Sequence, residues 1–430
     1  MRMTRNVFVL GLDQGNLDQL RNIPGTDDCV FHGLLTEEEL VSGEQVALGE
    51  LLDKAERQLA DFDGTIDAII GYWDFPTSSM VPILCRRHGL RSASLDAVVT
   101  CEHKYWSRLR QQEVIDEYPR FGLVNLDDTE PPEGVRYPMW IKPVKAYSSE
   151  LAFHVRDADE FAAALAETRE GIDRIGKPFQ QVMEFLDPPE EIAAIGGKAC
   201  IAEEAVTGSQ VTVEGYSTGD YTHVYGVIDS HTYPESSSFL RYQYPSSLPA
   251  SVQRRLADIS IRVIDHIGLT DVAFNIEYFW DADSDTIRLL EINPRHSQSH
   301  ARLFTEVDGV PNHQCTLRLA LGEDPDLPHR QGPHRLAAKW FLRRFADGVV
   351  RRVPTDQEIA DLEARHPGCH VEVGVEEGER LSAKHGEDSY SYVLAMVHVG
   401  ADDERELTER YERCVEELPF EIEDVDTSGR

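Results

Sequence analysis

The chain has 430 residues and a mass of 48.5 kDa, enough for several domains or one domain with appended lobes. With 41% hydrophobic and 28% charged residues, and no apolar run of about 18 residues, it reads as globular and water-soluble, not disordered, fibrous or membrane-spanning. Its 42 Lys+Arg against 77 Asp+Glu give a net charge of −35, which repels a polyphosphate backbone and argues against nucleic acid as a partner.

The opening stretch MRMTRNVFVLGLDQGN holds an apolar run, Val7 to Leu10, too short for a secretory signal, and it reads as a first buried strand. Across residues 1–100, apolar runs (NVFVLGL, IDAIIGYW) alternate with helical stretches (EQVALGELLDKAERQLADF, SSMVPILCRRHGL), predicting a parallel sheet covered by helices. Ligands of such sheets sit beyond the C-terminal ends of the strands, so Gly11, Asp13 and Asp74 occupy candidate site positions. The stretch CEHKYWSRLRQQEVIDE predicts a helix, and a Pro- and acid-rich linker, NLDDTEPPEGVRYP, follows, giving a helical linker over 101–137.

From 138 to 215 the reading is strand (MWIKPV), helix (ADEFAAALAETRE), strand (QQVMEFL), a short hairpin (EIAAIGGKACIAEEAV) and strand (SQVTVEGYS). Residues 216–333 begin with a polar, aromatic segment at 217–247. There follow an amphipathic helix (LPASVQRRLADISIRVIDHIGL) stopped by Gly268 and two strands, DVAFNIEYFW and TIRLLEINP, joined by the turn DADSD. Residues 334–430 read as a small α+β lobe: HRLAAKWFLRRF, GVVRRVP, a helix at TDQEIADLEARHP, CHVEVGV, SYSYVLAMVHVGA and a final helix, DERELTERYERCVEEL, with an acidic, frayed end. Seven scattered cysteines without a CxxC pair indicate neither a disulfide framework nor structural zinc, and a reducing cytoplasm is the expected compartment. Eight lysines against 34 arginines are compatible with a salt-adapted or GC-rich source.

The chemistry concentrates on the last hairpin before the C-terminal lobe. Side chains alternate along a strand, so Glu291 and Asn293 share a face, and pairing through DADSD brings Glu277 opposite Glu291. Carboxylates on otherwise apolar strands are costly unless cations meet them. Hard divalent ions, Mg²⁺ or Mn²⁺, suit this donor set, because Mg²⁺ takes one or two carboxylates and fills its other positions with water and phosphate oxygen. Arg295 is expected on the same face, as positive charge for a phosphate in transfer. Among the few lysines, Lys142 at a strand end and Lys104 at a helix start are point charges suited to phosphate oxygens.

In order, CEHKYW, YPMWIKP, AEEAVTGSQ, FNIEYF and LLEINPR resemble the ATP-grasp superfamily, especially its carboxylate-amine and amino-acid ligase branch, over about residues 5–325. The resemblance implies an α/β plus α+β fold: an N-terminal parallel-sheet domain (1–100), two lobes that clamp ATP (138–215 and 216–333) and a small C-terminal α+β lobe (334–430). It implies further that Lys104 and Lys142 hold ATP phosphates, that Glu203, Glu204 and Ala205 border the adenine, and that Gln210 stands where the ribose-binding acid usually does. Glu277, Glu291 and Asn293 are implied to coordinate two Mg²⁺ (or Mn²⁺) ions, and Arg295 to steady the transferred phosphate.

Two stretches depart from the family pattern. The phosphate-covering loop PVKAYSSELAF lacks glycine and offers Ser148 and Ser149 instead. After Arg295 come His296, Ser297, His300 and Arg302, where relatives often carry small glycines. This cluster suits a substrate carboxylate, or a base near the amine, as well as it suits capping and packing. His223, His231 and Arg241 fall where the family places the acceptor pocket, and Lys339 and Trp340 are candidates for a substrate entrance. No GxSxG, HExxH or P-loop pattern occurs.

The expected function is ATP-dependent joining of a carboxylic acid to an amine through an acyl phosphate, with release of ADP and phosphate and with an amino acid or small derivative as substrate. The expected partners are these small molecules, without nucleic acid or membrane, and a homodimer is compatible with the resemblance. A bicarbonate-activating carboxylase, and a non-catalytic ATP-binding protein that presents a surface to a partner, are the alternatives. The identity of the acid and the amine is not legible in the residues.

Overall fold

The computed structural model describes residues 4–42, 46–146, 150–234, 236–383 and 391–425. By compactness the chain falls into two units, one of Met1–Gly226, Leu248–Gln298 and Asn312–Leu327, the other of Val227–Ser247, Ser299–Pro311 and Pro328–Arg430.

The first unit begins with Val7 to Leu10, buried on both sides as expected of a central parallel strand. Strand Arg5–Leu10 lies between Cys29–Leu34 and Ala68–Ile70, parallel to both. Alternation along the strand sends Phe8 and Leu10 to helices Leu48–Ala60 and Thr77–His88, and Val7 and Val9 to Leu20, Ile23, Tyr72 and Leu317. Strand Cys29–Leu34 is not among the predicted elements. It is an edge strand of half-exposed residues and lacks the continuous apolar run of its neighbour.

The next layer is an antiparallel sheet of Phe121–Val124, Cys200–Glu204, Met139–Pro143 and Phe153–Val155, in that spatial order, covered by helix Ala158–Gly171. Two expectations fail here. The stretch QQVMEFL is not a strand, because most of it belongs to helix Asp173–Met183, which carries Pro178 inside it. Ile175, Phe179, Val182 and Met183, spaced for one helical face, are buried against Phe75 and its neighbours. Likewise EIAAIGGKACIAEEAV is not a hairpin. It forms helix Glu190–Ile195, a 3₁₀ turn and the single strand Cys200–Glu204. Its glycines serve close approach: a Cβ on Gly197 would stand 2.7 Å from the Gly176 carbonyl oxygen. The single helix expected at 101–117 is two, Leu95–Glu102 and Lys104–Gln112, broken at His103 in extended conformation.

The remaining sheet of the first unit is antiparallel, with Thr286–Asn293, Val272–Asp281 and Ser209–Ser217 in order, next to helix Ala250–Ile267, whose left-handed cap is Gly268 as expected. The segment at 217–247 is not irregular. It contains strands Thr222–Thr232 and Phe239–Tyr244, whose polar and aromatic residues hide their alternation in the sequence.

In the second unit, Phe239–Tyr244, Leu336–Arg344, Tyr392–Ala401 and Cys369–Val373 form an antiparallel sheet. Trp340, Val371, Val397 and Val399 pack on one side with Leu362 and Leu407 of helices Asp356–Arg365 and Glu404–Glu416. The expected frayed end is corrected in part, since Glu421–Asp424 pairs with Gly348–Arg352. Among the described residues no helix is long and apolar enough to cross a membrane.

Candidate active site

The site grows from the hairpin Val272–Asp281/Thr286–Asn293. Its register sets Glu277 directly opposite Glu291 and Asn275 opposite Asn293, with a bulge just after Glu277. Cross-strand partners of this kind hold their Cβ atoms about 4.5–5.5 Å apart, so the two carboxylates share one small volume. Gln210, on the neighbouring strand Ser209–Ser217, donates from Nε2 to Glu277 Oε2 at 2.9 Å. Desolvation and the repulsion of Glu291 push the Glu277 carboxyl above its ordinary range in spite of that bond. Glu291 moves the other way: desolvation opposes its charge, but Lys104 Nζ, 2.8 Å from Oε2, outweighs it.

Lys104 reaches the pair because the break at His103 starts a new helix there, anchored by Lys104 N donating to the Val144 carbonyl at 2.7 Å. Its Nζ also donates to Ala146 O at 3.1 Å. Asn293 spends its amide nitrogen on Asn275 Oδ1 at 2.9 Å, which leaves its carbonyl oxygen as the atom it offers the site.

Arg295 forms an ion pair with Asp74, the residue whose place after a parallel strand marks it in the sequence. Burial penalises the Asp74 carboxylate, yet Arg295 and then Lys145 hold it below the usual range. Lys145, 4% exposed, pairs with Glu102 at 3.2 Å. Asp74, Lys104, Lys145, Glu291 and Asn293 thus line one cleft.

Beside it stands a second acidic centre. Glu203, 3% exposed, accepts from Arg108 Nε at 2.6 Å and Lys142 Nζ at 3.0 Å. Burial alone would raise its carboxyl, but the two cations hold it down at about 2. Arg108 also donates to Leu290 O at 2.6 Å, tying this centre to the strand that carries Glu291.

Two residues of these centres, Arg108 and Lys145, are not among those the sequence singles out. Arg108 carries a signal, since it lies four residues after Lys104 on the same helical face. For Lys145 there is only the scarcity of lysine.

The other expected residues are placed as follows. Glu204 Oε1 accepts from Arg120 N at 3.1 Å, and Ala205 N donates to Pro138 O at 3.2 Å. Ser148 and Ser149 lie outside the described residues. His296, 1% exposed, sets Nδ1 2.7 Å from Thr316 Oγ1 and packs its ring against His313. Ser297 N donates to Glu214 Oε1 at 3.1 Å. His223 is exposed, its ring 5.5 Å from that of Tyr216.

The second unit holds the rest. His231 and Arg241 are register partners, with Arg241 over the Trp340 ring and paired with Glu404. His300 is buried edge-on to Tyr242, and Arg302 Nε lies 3.4 Å from Glu372.

Known proteins share this architecture. The crystal structure of L-amino acid ligase from Bacillus licheniformis is similar with a TM-score of 0.70 at 14% identity, covering 99% of this chain and 100% of that one. Phosphoribosylglycinamide synthetase from Anaerococcus prevotii gives 0.62 at 13%, covering 98% and 100%. The biotin carboxylase domain of 2-oxoglutarate carboxylase from Hydrogenobacter thermophilus, solved with MgADP, ADP and bicarbonate, gives 0.66 at 14%, covering 99% and 92%. At these identities the likeness is one of fold. The family model of the ATP-grasp domain matches residues 135–301, the stretch that supplies Lys142, Glu203, Glu277, Glu291, Asn293 and Arg295. Residues 135–301 thus match the ATP-grasp domain family, within a chain whose fold is similar to that of these ligases and carboxylases.

Proposed function

We propose that the chain is an ATP-dependent carboxylate-amine ligase, forming an amide or peptide bond with an amino acid or small amino-acid derivative as substrate. The observation that carries this reading is the cross-strand pair Glu277–Glu291, two carboxylates in one small volume with Lys104 as the only direct cationic partner among the described residues. Such a pair is short of positive charge. Two carboxylates and one amide oxygen fit Mg²⁺ or Mn²⁺, and the donor set is too small to fill a coordination sphere by itself. That suits ions which arrive with nucleotide and complete their shells with phosphate oxygen and water. Among the described residues no group of three or more His, Cys, Asp or Glu side chains makes a self-sufficient metal cage.

When bound, magnesium supplies neutralising charge and alignment to the triphosphate. Glu277 and Glu291, on two neighbouring strands, would hold it with Asn293 as a third donor. Lys104 and Lys142, now on Glu291 and Glu203, are the cations that would turn to phosphate oxygens. Arg295, oriented by Asp74, meets the charge that develops on the γ-phosphoryl group. The substrate carboxylate forms its bond to the γ-phosphorus as the bridging P–O bond breaks and ADP leaves. The amine nitrogen then attacks the acyl carbon, phosphate departs with the C–O bond pair, and the amine loses a proton. Exclusion of water protects the acyl phosphate in between.

The likeness to L-amino acid ligase supports amino acids as substrates, and ADP release is the test. Purified protein with ATP and Mg²⁺ is given pooled amino acids, bicarbonate, or neither, and products are identified by mass spectrometry. Amine-dependent ADP with a product joined by loss of water supports the ligase. Bicarbonate-dependent ADP identifies a carboxylase, and no ADP under any condition identifies a binder; either result overturns the ligase reading.

A further inference from the structure

The sheet of the second unit has one apolar and one polar face. Cross-strand register sets Tyr242, Lys339, His398 and His370 side by side on four successive strands, so their side chains share a face. The opposite face, with Trp340, Val397 and Val371, is core. Residues 299–308 cover the polar row: Lys339 Nζ donates to Ser299 Oγ at 2.7 Å, the His300 ring meets Tyr242, and Arg302 Nε reaches Glu372 Oε1 at 3.4 Å.

Two members of this row, Lys339 and His398, are poorly satisfied. Lys339 is 7% exposed, and among the described residues no carboxylate lies within 4 Å of it. Burying an ammonium costs several kcal/mol, which one hydroxyl does not offset. His398 is 5% exposed, and neither ring nitrogen has a hydrogen-bond partner. Its Nε2 and that of His370 both stand 3.5 Å from Glu372 Oε1, beyond the usual N–H···O range of about 2.7–3.2 Å. Lys339 and Arg302 face the single carboxylate of Glu372, while a second carboxylate, Glu363, answers His370 with Oε1 2.9 Å from Nδ1. Solvent reaches the row past Arg302, His370 and Glu372, whose side chains are 29%, 32% and 38% exposed.

We propose that Lys339, Arg302 and His398 form a binding site for the carboxylate of a free amino acid, with Glu372 beside Arg302 and His398 and with Glu363 orienting the neighbouring His370. A single carboxylate gives Lys339 a charged acceptor besides the Ser299 hydroxyl and gives His398 the partner it lacks. That the carboxylate belongs to an amino acid rests on the ligase reading above; the site itself rests on the polar row.

The test is thermal unfolding of the full chain with each of the twenty proteinogenic amino acids and, for every one that shifts the melt, its C-terminal amide. At roughly ten times Kd, the amino acid should raise Tm by about 1.5 °C and its amide should not. Lys339→Met, which keeps the length and removes the charge, should abolish that shift and keep the shift produced by ATP with Mg²⁺. If Lys339→Met does not fold, Arg302→Gln, partly exposed, should weaken apparent binding at least tenfold. No shift with any amino acid, a shift shared by the amide, or a shift that survives the substitution overturns the site. ADP release from the same samples separates the two proposals: ADP without a Lys339-dependent shift removes this site and leaves the ligase, and the converse removes the ligase and leaves this site.

Discussion

Glu203 and the Glu277–Glu291 pair stand in the same unit and are joined through Arg108, yet they balance charge in opposite ways. Glu203 is closed: each carboxylate oxygen has its own cation, and its proton affinity falls to the bottom of the carboxylate range. The pair is open: Lys104 answers for Glu291, but Glu277 has an amide and a like charge for neighbours, and its proton affinity rises. Depth does not explain the contrast, since Glu203 is the more buried and desolvation by itself would raise it the more. What differs is whether the fold itself supplies the opposite charge, and a centre left short is one that a cation from outside can complete.

The largest effect should appear where the open centre does chemistry. Glu291→Gln keeps the side-chain volume and removes the charge that a metal needs. ADP formation should fall by at least about 10²–10³-fold, the scale of losing one preorganised electrostatic contact in an active site, with the circular dichroism spectrum unchanged. Normal turnover in that variant would remove Glu291 from the metal site.

Glu203→Gln should strike stability instead. It strands Arg108 and Lys142, and breaking a buried pair by removing one partner costs about 3–5 kcal/mol, readable in urea unfolding. A variant as stable as the wild type would mean that the closed centre contributes little to the fold.

The same centre sets an acid limb. Its carboxyl is depressed to about 2, so its contribution is fully present above the unfolded-state value near 4.3. As pH falls from there toward 2 that contribution is lost, about 3 kcal/mol in all. Glu203→Gln should flatten this part of the stability profile. An unchanged acid limb would show that other carboxylates govern it.

The open centre is legible in the amino-acid sequence alone, because two strands around a short turn fix register, and alternation then fixes which carboxylates face each other. Asp74 is legible as a position, beyond a parallel strand, though not as the partner of Arg295 221 residues away. The closed centre is only half visible. Glu203 and Lys142 carry signals, but Arg108 enters through the break at His103, and a helix broken by one extended residue looks continuous in sequence. QQVMEFL passes for a strand because Pro178 suggests a boundary, whereas the apolar spacing from Ile175 to Met183 is helical once the proline is carried inside. The polar row of the second unit shows itself in the sequence at Lys339 alone. Its other members come from three more strands, and no local pattern announces a cross-strand row.

The smallest effect separates the two centres most cleanly. Glu277→Gln removes a carboxylate that the ligand-free fold holds against the repulsion of Glu291, and the new amide oxygen still accepts from Gln210. Like charges directly opposite one another across a sheet cost about 0.2–1 kcal/mol, so without nucleotide the variant should be as stable as the wild type or more stable by that amount. The added stability that ATP and Mg²⁺ give the wild type should vanish, and EDTA should do the same to the wild type while leaving its ligand-free melt unchanged. A ligand-free variant weaker by more than about 1 kcal/mol would place Glu277 beside Glu203 as a structural acid, because a side chain whose removal is felt that strongly without ligand already has its partners within the fold.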